Sequence, residues 1–146
     1  MIGFLQRVRR ASVDVADESV GEIADGLLVL VGIRREDDAA AAERLAHRLL
    51  AYRVFTDGRG RMNRSLGDTG GGLLLVPQFT LCADTRRGLR PGFEPAAPPE
   101  QARGLFDELV RVAEVAHDGP VARGRFGADM QVALINDGPV SFWLEA

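Results

Sequence analysis

A chain of 146 residues with 46% hydrophobic and 27% charged residues, a net charge of -3 and a mean hydropathy of -0.03 has the proportions of one folded domain over residues 1–146. Such proportions exclude a disordered chain, and no apolar run approaches the roughly 18 residues of a membrane helix. One cysteine, Cys82, and two histidines, His47 and His117, exclude an internal disulfide and poorly supply a thiolate or imidazole metal cluster, so neither metal nor cofactor is expected.

The net negative charge confines any RNA contact to a local patch, and neither DNA nor membrane is an expected partner. All eighteen basic residues are arginine, which rules out a lysine Schiff base. The alternating pattern begins at Met1-Ile2-Gly3-Phe4 with no charged-then-apolar leader, so the cytoplasm is the expected compartment.

In chain order, Ser12–Val15 and Ser19–Ile23 flank Ala16-Asp17-Glu18 as the strands of a hairpin would. The continuous apolar run Leu27–Ile33 suits a strand buried on both faces. Asp37 or Asp38 can cap a helix whose apolar positions Ala41, Ala42, Leu45, Ala46, Leu49 and Leu50 recur at helical spacing until about Tyr52. Val54-Phe55 starts a strand that meets the turn signal Asp57-Gly58, and Leu73–Val76 is a further strand leading into Pro77-Gln78-Phe79-Thr80-Leu81. An irregular stretch follows from Asp84 to Pro98. Pro99 then opens a second helix with Leu105, Leu109, Val112 and Ala116 on one face, ended by Gly119-Pro120. Val121, Met130–Ile135 and Val140–Leu144 close the chain as strands, with the turn Asn136-Asp137-Gly138-Pro139 between the last two. Hairpins with two inserted helices predict an α+β domain on a mainly antiparallel sheet.

The usual nucleophiles and bases lack settings. No serine lies in a nucleophile elbow, Cys82 has no protease-type surroundings, His47 falls within a helix and His117 at a helix end, where imidazoles commonly serve structure. Asp84, Asp129 and Asp137 lie beside irregular segments without evident partners. Three loops remain. Pro77 removes an amide at a strand end, so the N–H groups of Gln78, Phe79 and Thr80 either turn out of the ladder as an oxyanion hole or form a mere strand-ending bulge. Gly138-Pro139 suits a tight turn, for which the general preference is a trans bond. Arg86, Arg87 and Arg90 either grip phosphates or make a solvated charge cluster.

At these residues the chain resembles the D-aminoacyl-tRNA deacylases of the bacterial and eukaryotic type. Gln6-Arg7-Val8, Ala11-Ser12-Val13, Gly26–Gly32, Gln78-Phe79-Thr80-Leu81, Ala83–Arg86, Ala97-Pro98-Pro99, Gly124–Met130 and Asn136–Val140 carry the resemblance along practically the whole length. It implies a barrel-like sheet and a homodimer with an active site shared between subunits. In that picture Gly138-Pro139 is cis and enters the partner's pocket beside Gln78, Phe79 and Thr80, leaving no room for an L side chain. Arg7 supports the Gly138-Pro139 turn from its own chain and Met130 lines the adenosine end; beside the resemblance, the position of Arg86, Arg87 and Arg90 directly after the Pro77–Leu81 element makes them the expected tRNA-binding residues. The implied reaction is hydrolysis of the D-aminoacyl-tRNA ester, and of glycyl-tRNA mischarged on tRNA(Ala). It uses backbone oxyanion stabilisation and help from the ribose 2′-OH, with a Thr80 hydroxyl nucleophile as the competing idea. Two positions depart from the pattern: Pro77 stands where the family usually has serine, and Ser141 where it usually has threonine. Pro77 opens two other readings, a relaxed deacylase of small L-aminoacyl or glycyl esters and an inactive RNA-binding dimer; a generic small-molecule esterase is a third.

Overall fold

The computed structural model describes residues 1–86 and 88–146. Its first strand, β1 (Ile2–Val15), is longer than the expected hairpin arm and runs back almost to the N-terminus. That length gives it three antiparallel neighbours. Its first half pairs with β3 (Gly26–Gly32), its second half with β2 (Glu18–Ile23), and its other edge with β8 (Gln131–Glu145). Ala16 and Asp17, at φ 50° and 65°, turn the β1–β2 hairpin.

Two further strands lie parallel, β6 (Gly72–Pro77) on β3 and β7 (Val121–Arg123) on β6, giving the order β2-β1-β3-β6-β7 with β8 on β1. The sheet is thus mixed, with the antiparallel pairings expected from the hairpins and a parallel part built by two helical crossovers. The helices are α1 (Ala39–Ala51) between β3 and β6 and α3 (Pro99–Ala116) between β6 and β7. The sheet curls until β2 approaches β7: a Cβ at Gly21 would stand 2.8 Å from the Arg123 carbonyl oxygen.

Alternation along the central strands explains why the apolar runs are continuous. Leu27, Val29, Val31, Leu73 and Leu75 face α1 and α3, while Leu28, Leu74 and Val76 join Val8, Ala11 and Val13 in a second core. Both faces of β3 and β6 are therefore dry, and a fully buried leucine contributes about 1.5–3 kcal/mol to each.

Helix α1 buries the six apolar positions read from its spacing and is capped by Asp38, whose carboxylate accepts from the Ala41 amide at 2.8 Å. Asp37 is buried instead, accepting the Arg34 amide at 2.6 Å and facing the Met1 ammonium. In α3, Ala102, Phe106, Leu109, Val110, Val112 and Ala113 form the buried face, so Ala116 lies exposed, contrary to expectation; Phe106 and Val110 rotate the stripe away from it. The chain between the helices also forms the small hairpin β4 (Phe55–Thr56) and β5 (Met62–Arg64), and the short helix α2 (Leu66–Thr69) with a Ser65–Asp68 capping box.

The largest departure is β8. Met130–Ile135 and Val140–Leu144 are not two strands joined by a reversal: they form one strand pairing with β1 in a single direction, Asn136 opposite Val8 and Ser141 opposite Gln6. The residues between are extruded as a loop from that strand, because both flanks share one partner.

Candidate active site

Strand β6 ends at Pro77 and a 3-10 turn, Phe79–Cys82, follows. The expectation that three amides leave the ladder needs one correction. The Gln78 N–H donates to the Val31 carbonyl at 2.8 Å, because β3 extends one acceptor beyond the proline. Phe79 and Thr80 open the turn, and their N–H groups have no carbonyl behind them within it. Among the described residues neither amide donates to a backbone or side-chain acceptor. The Gln78 side-chain amide donates to the Thr80 hydroxyl, and among the described residues no base is bonded to that hydroxyl.

Pro77, Gln78 and Phe79 form one wall of a cleft of about 790 Å³, with Phe126 and Met130 among its other lining; Thr80 is not part of that lining. Phe79 is 56% exposed and tilts against Phe93 with ring centroids 5.0 Å apart. Phe126 is held by Phe106 and by the Arg103 guanidinium, 4.9 Å from its ring centroid. A Cβ at Gly124 would come within 2.8 Å of the Met130 sulfur, so glycine there leaves Met130 its place. The charged lining residues are Arg35 and Asp129.

The Gly138-Pro139 bond is cis, against the general trans preference and in line with the resemblance. Gly138 has φ +147°, and a Cβ would stand 2.6 Å from Val140 Cγ2, so this position requires glycine. Three side chains hold the loop: Arg9, 3.1 Å from the Asp137 carboxylate, Arg7 and Asn136. Arg7 donates from Nε to the Asp137 carbonyl at 2.9 Å and from Nη1 to the Val54 carbonyl at 2.6 Å. Asn136 accepts from the Val140 amide at 2.6 Å and donates to the Val140 carbonyl at 3.2 Å and the Ser141 hydroxyl at 3.1 Å. Gly138 and Pro139 are exposed, and neither they nor Arg7 line the cleft that Pro77, Gln78, Phe79 and Met130 share. On one chain the Gly138-Pro139 loop and the cleft residues Pro77, Gln78, Phe79 and Met130 therefore form two separate groups.

The family model described as D-Tyr-tRNA(Tyr) deacylase matches residues 4–145. The chain belongs to that family. It is 62% identical to the D-aminoacyl-tRNA deacylase of Stutzerimonas stutzeri (strain A1501), covering 100% of both chains. The D-aminoacyl-tRNA deacylase of Alkalilimnicola ehrlichii is 60% identical over 100% of this chain and 97% of its own. Among solved structures, that of the c-Myc DNA Unwinding Element Binding Protein superposes with a TM-score of 0.95 at 38% identity, covering 100% of this chain and 99% of the other.

The loop beyond the 3-10 turn carries Arg86 and Arg90, expected from sequence to meet tRNA. Its neck is closed by Asp84 and Gly92, whose amides and carbonyls exchange bonds of 2.8 and 3.0 Å. Arg86 bonds Asp84 through its amide at 3.0 Å, Nε at 2.9 Å and Nη2 at 2.8 Å, and this guanidinium holds the Asp84 carboxyl far below the usual carboxylate range. Arg90 is exposed, and Arg87 lies outside the described residues. Thr80, Asp84 and Arg86 border a second hollow of about 560 Å³ with Arg34 and Trp143. Cys82 is buried and its thiol is pushed up by desolvation, which suits packing rather than chemistry. His47 is exposed on α1, and His117 is buried with Nε2 2.7 Å from the Gly71 carbonyl oxygen.

Sequence reasoning missed Asn136 as the brace of the loop. Its signal was available, since an asparagine two residues before Gly-Pro commonly bonds nearby backbone. Phe93 and Phe126 carry no comparable mark, because an aromatic in an irregular segment reads equally as core or cleft.

Proposed function

We propose that the chain works as a homodimer in which the Gly138-Pro139 loop of each subunit enters the other's cleft beside Phe79 and Thr80. As a family member it is a hydrolase, a D-aminoacyl-tRNA deacylase. The observation that carries the shared site is the separation on one chain: a braced, exposed loop that does not line its own cleft, and a cleft walled by Phe79, whose amide is free among the described residues.

In this reading the Gly138 and Pro139 carbonyls face the substrate Cα. A D side chain or a hydrogen passes them and an L side chain collides, so glycyl-tRNA is also cleaved and the L ester is spared. Water attacks the ester carbonyl carbon with help from the ribose 2′-OH. The tetrahedral oxyanion is met by the Phe79 and Thr80 N–H groups, each such donor lowering the barrier by about 2.7–4 kcal/mol. The carbon–oxygen bond to the ribose then breaks, and the ribose oxygen takes the proton. Gln78 positions Thr80 through its side-chain bond. Met130 lines the adenosine end, and Arg87 and Arg90, with Arg86 through the Nη1 that its bonds to Asp84 leave over, meet phosphates in the cytoplasm, where charged tRNA is found.

Deacylation of D-tyrosyl-, L-tyrosyl- and glycyl-tRNA, measured side by side with chelator present, tests the reading together with the solution mass. Rapid loss of the D and glycyl esters by a dimer, with the L ester intact, is expected. Cleavage of a small L ester would favour the relaxed specificity that Pro77 suggests, and binding without turnover an inactive RNA-binding dimer.

A further inference from the structure

The β4–β5 hairpin and its flanks carry Arg53, Arg59, Arg61 and Arg64, all exposed, in a chain whose net charge is -3. Among the described residues none of the four is in an ion pair. Arg53 donates to the Asn63 side-chain oxygen at 3.3 Å and Arg64 to the Asp68 backbone carbonyl at 2.7 Å, both neutral groups that leave the charges available. The two neighbouring carboxylates are turned inward: Asp57 accepts the Arg59 and Arg61 amides at 2.8 and 3.0 Å, and Asp68 accepts the Ser65 amide at 2.8 Å. The tip is therefore built before any partner arrives, with Gly60 at φ +76° and its amide bonded to the Asp57 carbonyl at 3.1 Å.

This hairpin is tied to the Gly138-Pro139 loop by one side chain. Arg7 grips Val54, immediately before β4, and Asp137, immediately before Gly138. We infer that the hairpin is a second RNA contact. Its free guanidiniums hold backbone phosphates of the same aminoacyl-tRNA whose 3′ end meets the loop. The inference rests on the shared-site reading, since a loop that enters the partner's cleft brings its hairpin to that cleft's rim. Guanidinium forks match phosphate oxygens, and a rigid turn presenting several of them loses little entropy on binding.

The test compares the wild type with the Arg59→Gln/Arg61→Gln double variant. It removes two side chains that have no bonded partner among the described residues and keeps the backbone amides that Asp57 holds. The readout is kcat/KM for D-tyrosyl-tRNA between about 50 and 200 mM salt, with D-tyrosyl-adenosine, which carries no phosphate, measured alongside. Loss of two phosphate contacts reduces the slope of log kcat/KM against log salt by about 1.4–1.8, so the wild type loses about tenfold more than the variant across that range. Equal rates on D-tyrosyl-adenosine and recovery of the slope by Arg59→Lys/Arg61→Lys are expected. An unchanged slope in the glutamine variant overturns the inference while leaving the shared site standing. So does dissociation of its dimer, which would assign the arginines to the subunit contact. A wild type that fails to prefer D-tyrosyl-adenosine over its L isomer removes the shared-site reading and the inference with it.

Discussion

Replacing Arg7 by methionine keeps an unbranched apolar stem and deletes the group that joins the Gly138-Pro139 loop to Val54, while the Arg9–Asp137 ion pair at 3.1 Å remains. Two charge-assisted hydrogen bonds disappear, at 2.9 Å to Asp137 and 2.6 Å to Val54. Bonds to charged donors contribute about 1.5–3 kcal/mol each, an upper total of about 6 kcal/mol. The two acceptors fare differently. Val54 is fully buried and its carbonyl is left unpaired, whereas Asp137 adjoins an exposed loop and its carbonyl is free to take water. The loss is accordingly nearer about 3 kcal/mol, a fall in Tm of about 6–12 °C for a chain of this size. Scanning calorimetry reads that shift, and the ratio of D- to L-tyrosyl-tRNA deacylation reads the loop. Both should fall with Arg7→Met, and Arg7→Lys should recover about half of the stability, because one ammonium serves a single carbonyl at a time where the planar fork serves two. A methionine variant with unchanged Tm and unchanged D/L ratio would refute the clamp. A lysine variant with wild-type selectivity would refute its two-point geometry.

Thr80→Val removes the hydroxyl and keeps the amide, so most of the deacylation rate should survive; complete loss with an intact fold would make the hydroxyl a nucleophile. Asn136→Ala leaves the buried Val140 amide without its 2.6 Å acceptor, at a cost of about 1–3 kcal/mol, and should lower D/L selectivity more than D-ester binding, as KM and kcat measured separately will tell. Asp84 has a folded-state pKa held down, first of all by the Arg86 side chain, so its contribution to stability is present above the ordinary carboxylate value and lost only as pH falls through the lower, folded one. Carboxyl carbon NMR should find Asp84 ionised below the usual range and, in Arg86→Gln, returned toward about 3.9; no movement would show the pairing absent in solution. With one histidine on an exposed helix face and the other bonded to Gly71, the pH–rate profile for ester cleavage should show no limb in the ordinary histidine range near about 6.5. A bell-shaped profile there would put an imidazole in the reaction.

Much of the fold was legible because single strands and helices announce themselves locally. Leu27–Ile33 reads as a strand buried on both faces, and its alternate side chains do enter two cores. The spacing Ala41, Leu45, Leu49 reads as one helix face and is one. Pairing partners are a different matter. Nothing in Gly72–Pro77 says that it lies parallel to β3, since that depends on α1 crossing over the sheet. Asn136-Asp137-Gly138-Pro139 illustrates the same limit. Its residues announce a turn correctly, but whether the chain reverses there or resumes its course depends on β1, which holds both flanks in line. The Gln78 amide failed for a similar reason: Pro77 signals a broken ladder, and only the length of β3 decides that one more bond is made. Arg86 reads as a free cation in sequence and is folded back on Asp84 in the structure.

The site's two halves have one physical trait in common, which accounts for the failure of the search for a nucleophile and a base. In the proposed reading the working groups are backbone: N–H donors at Phe79 and Thr80, and carbonyls at Gly138 and Pro139. An ester of an amino acid is already activated relative to an amide, so oriented donors against apolar walls can supply the stabilisation that water would screen. Those donors meet the carbonyl oxygen, which is the same in either hand, and cannot distinguish D from L. Chirality therefore requires a second rigid surface at Cα, and rigidity is what Arg7, Asn136 and the Gly138 backbone supply to an otherwise exposed loop. On that reading, side chains hold the backbone in position and leave the chemistry to it. Substitutions at Gly138, Arg7 or Asn136 should consequently act on selectivity more than those at Thr80 or Met130.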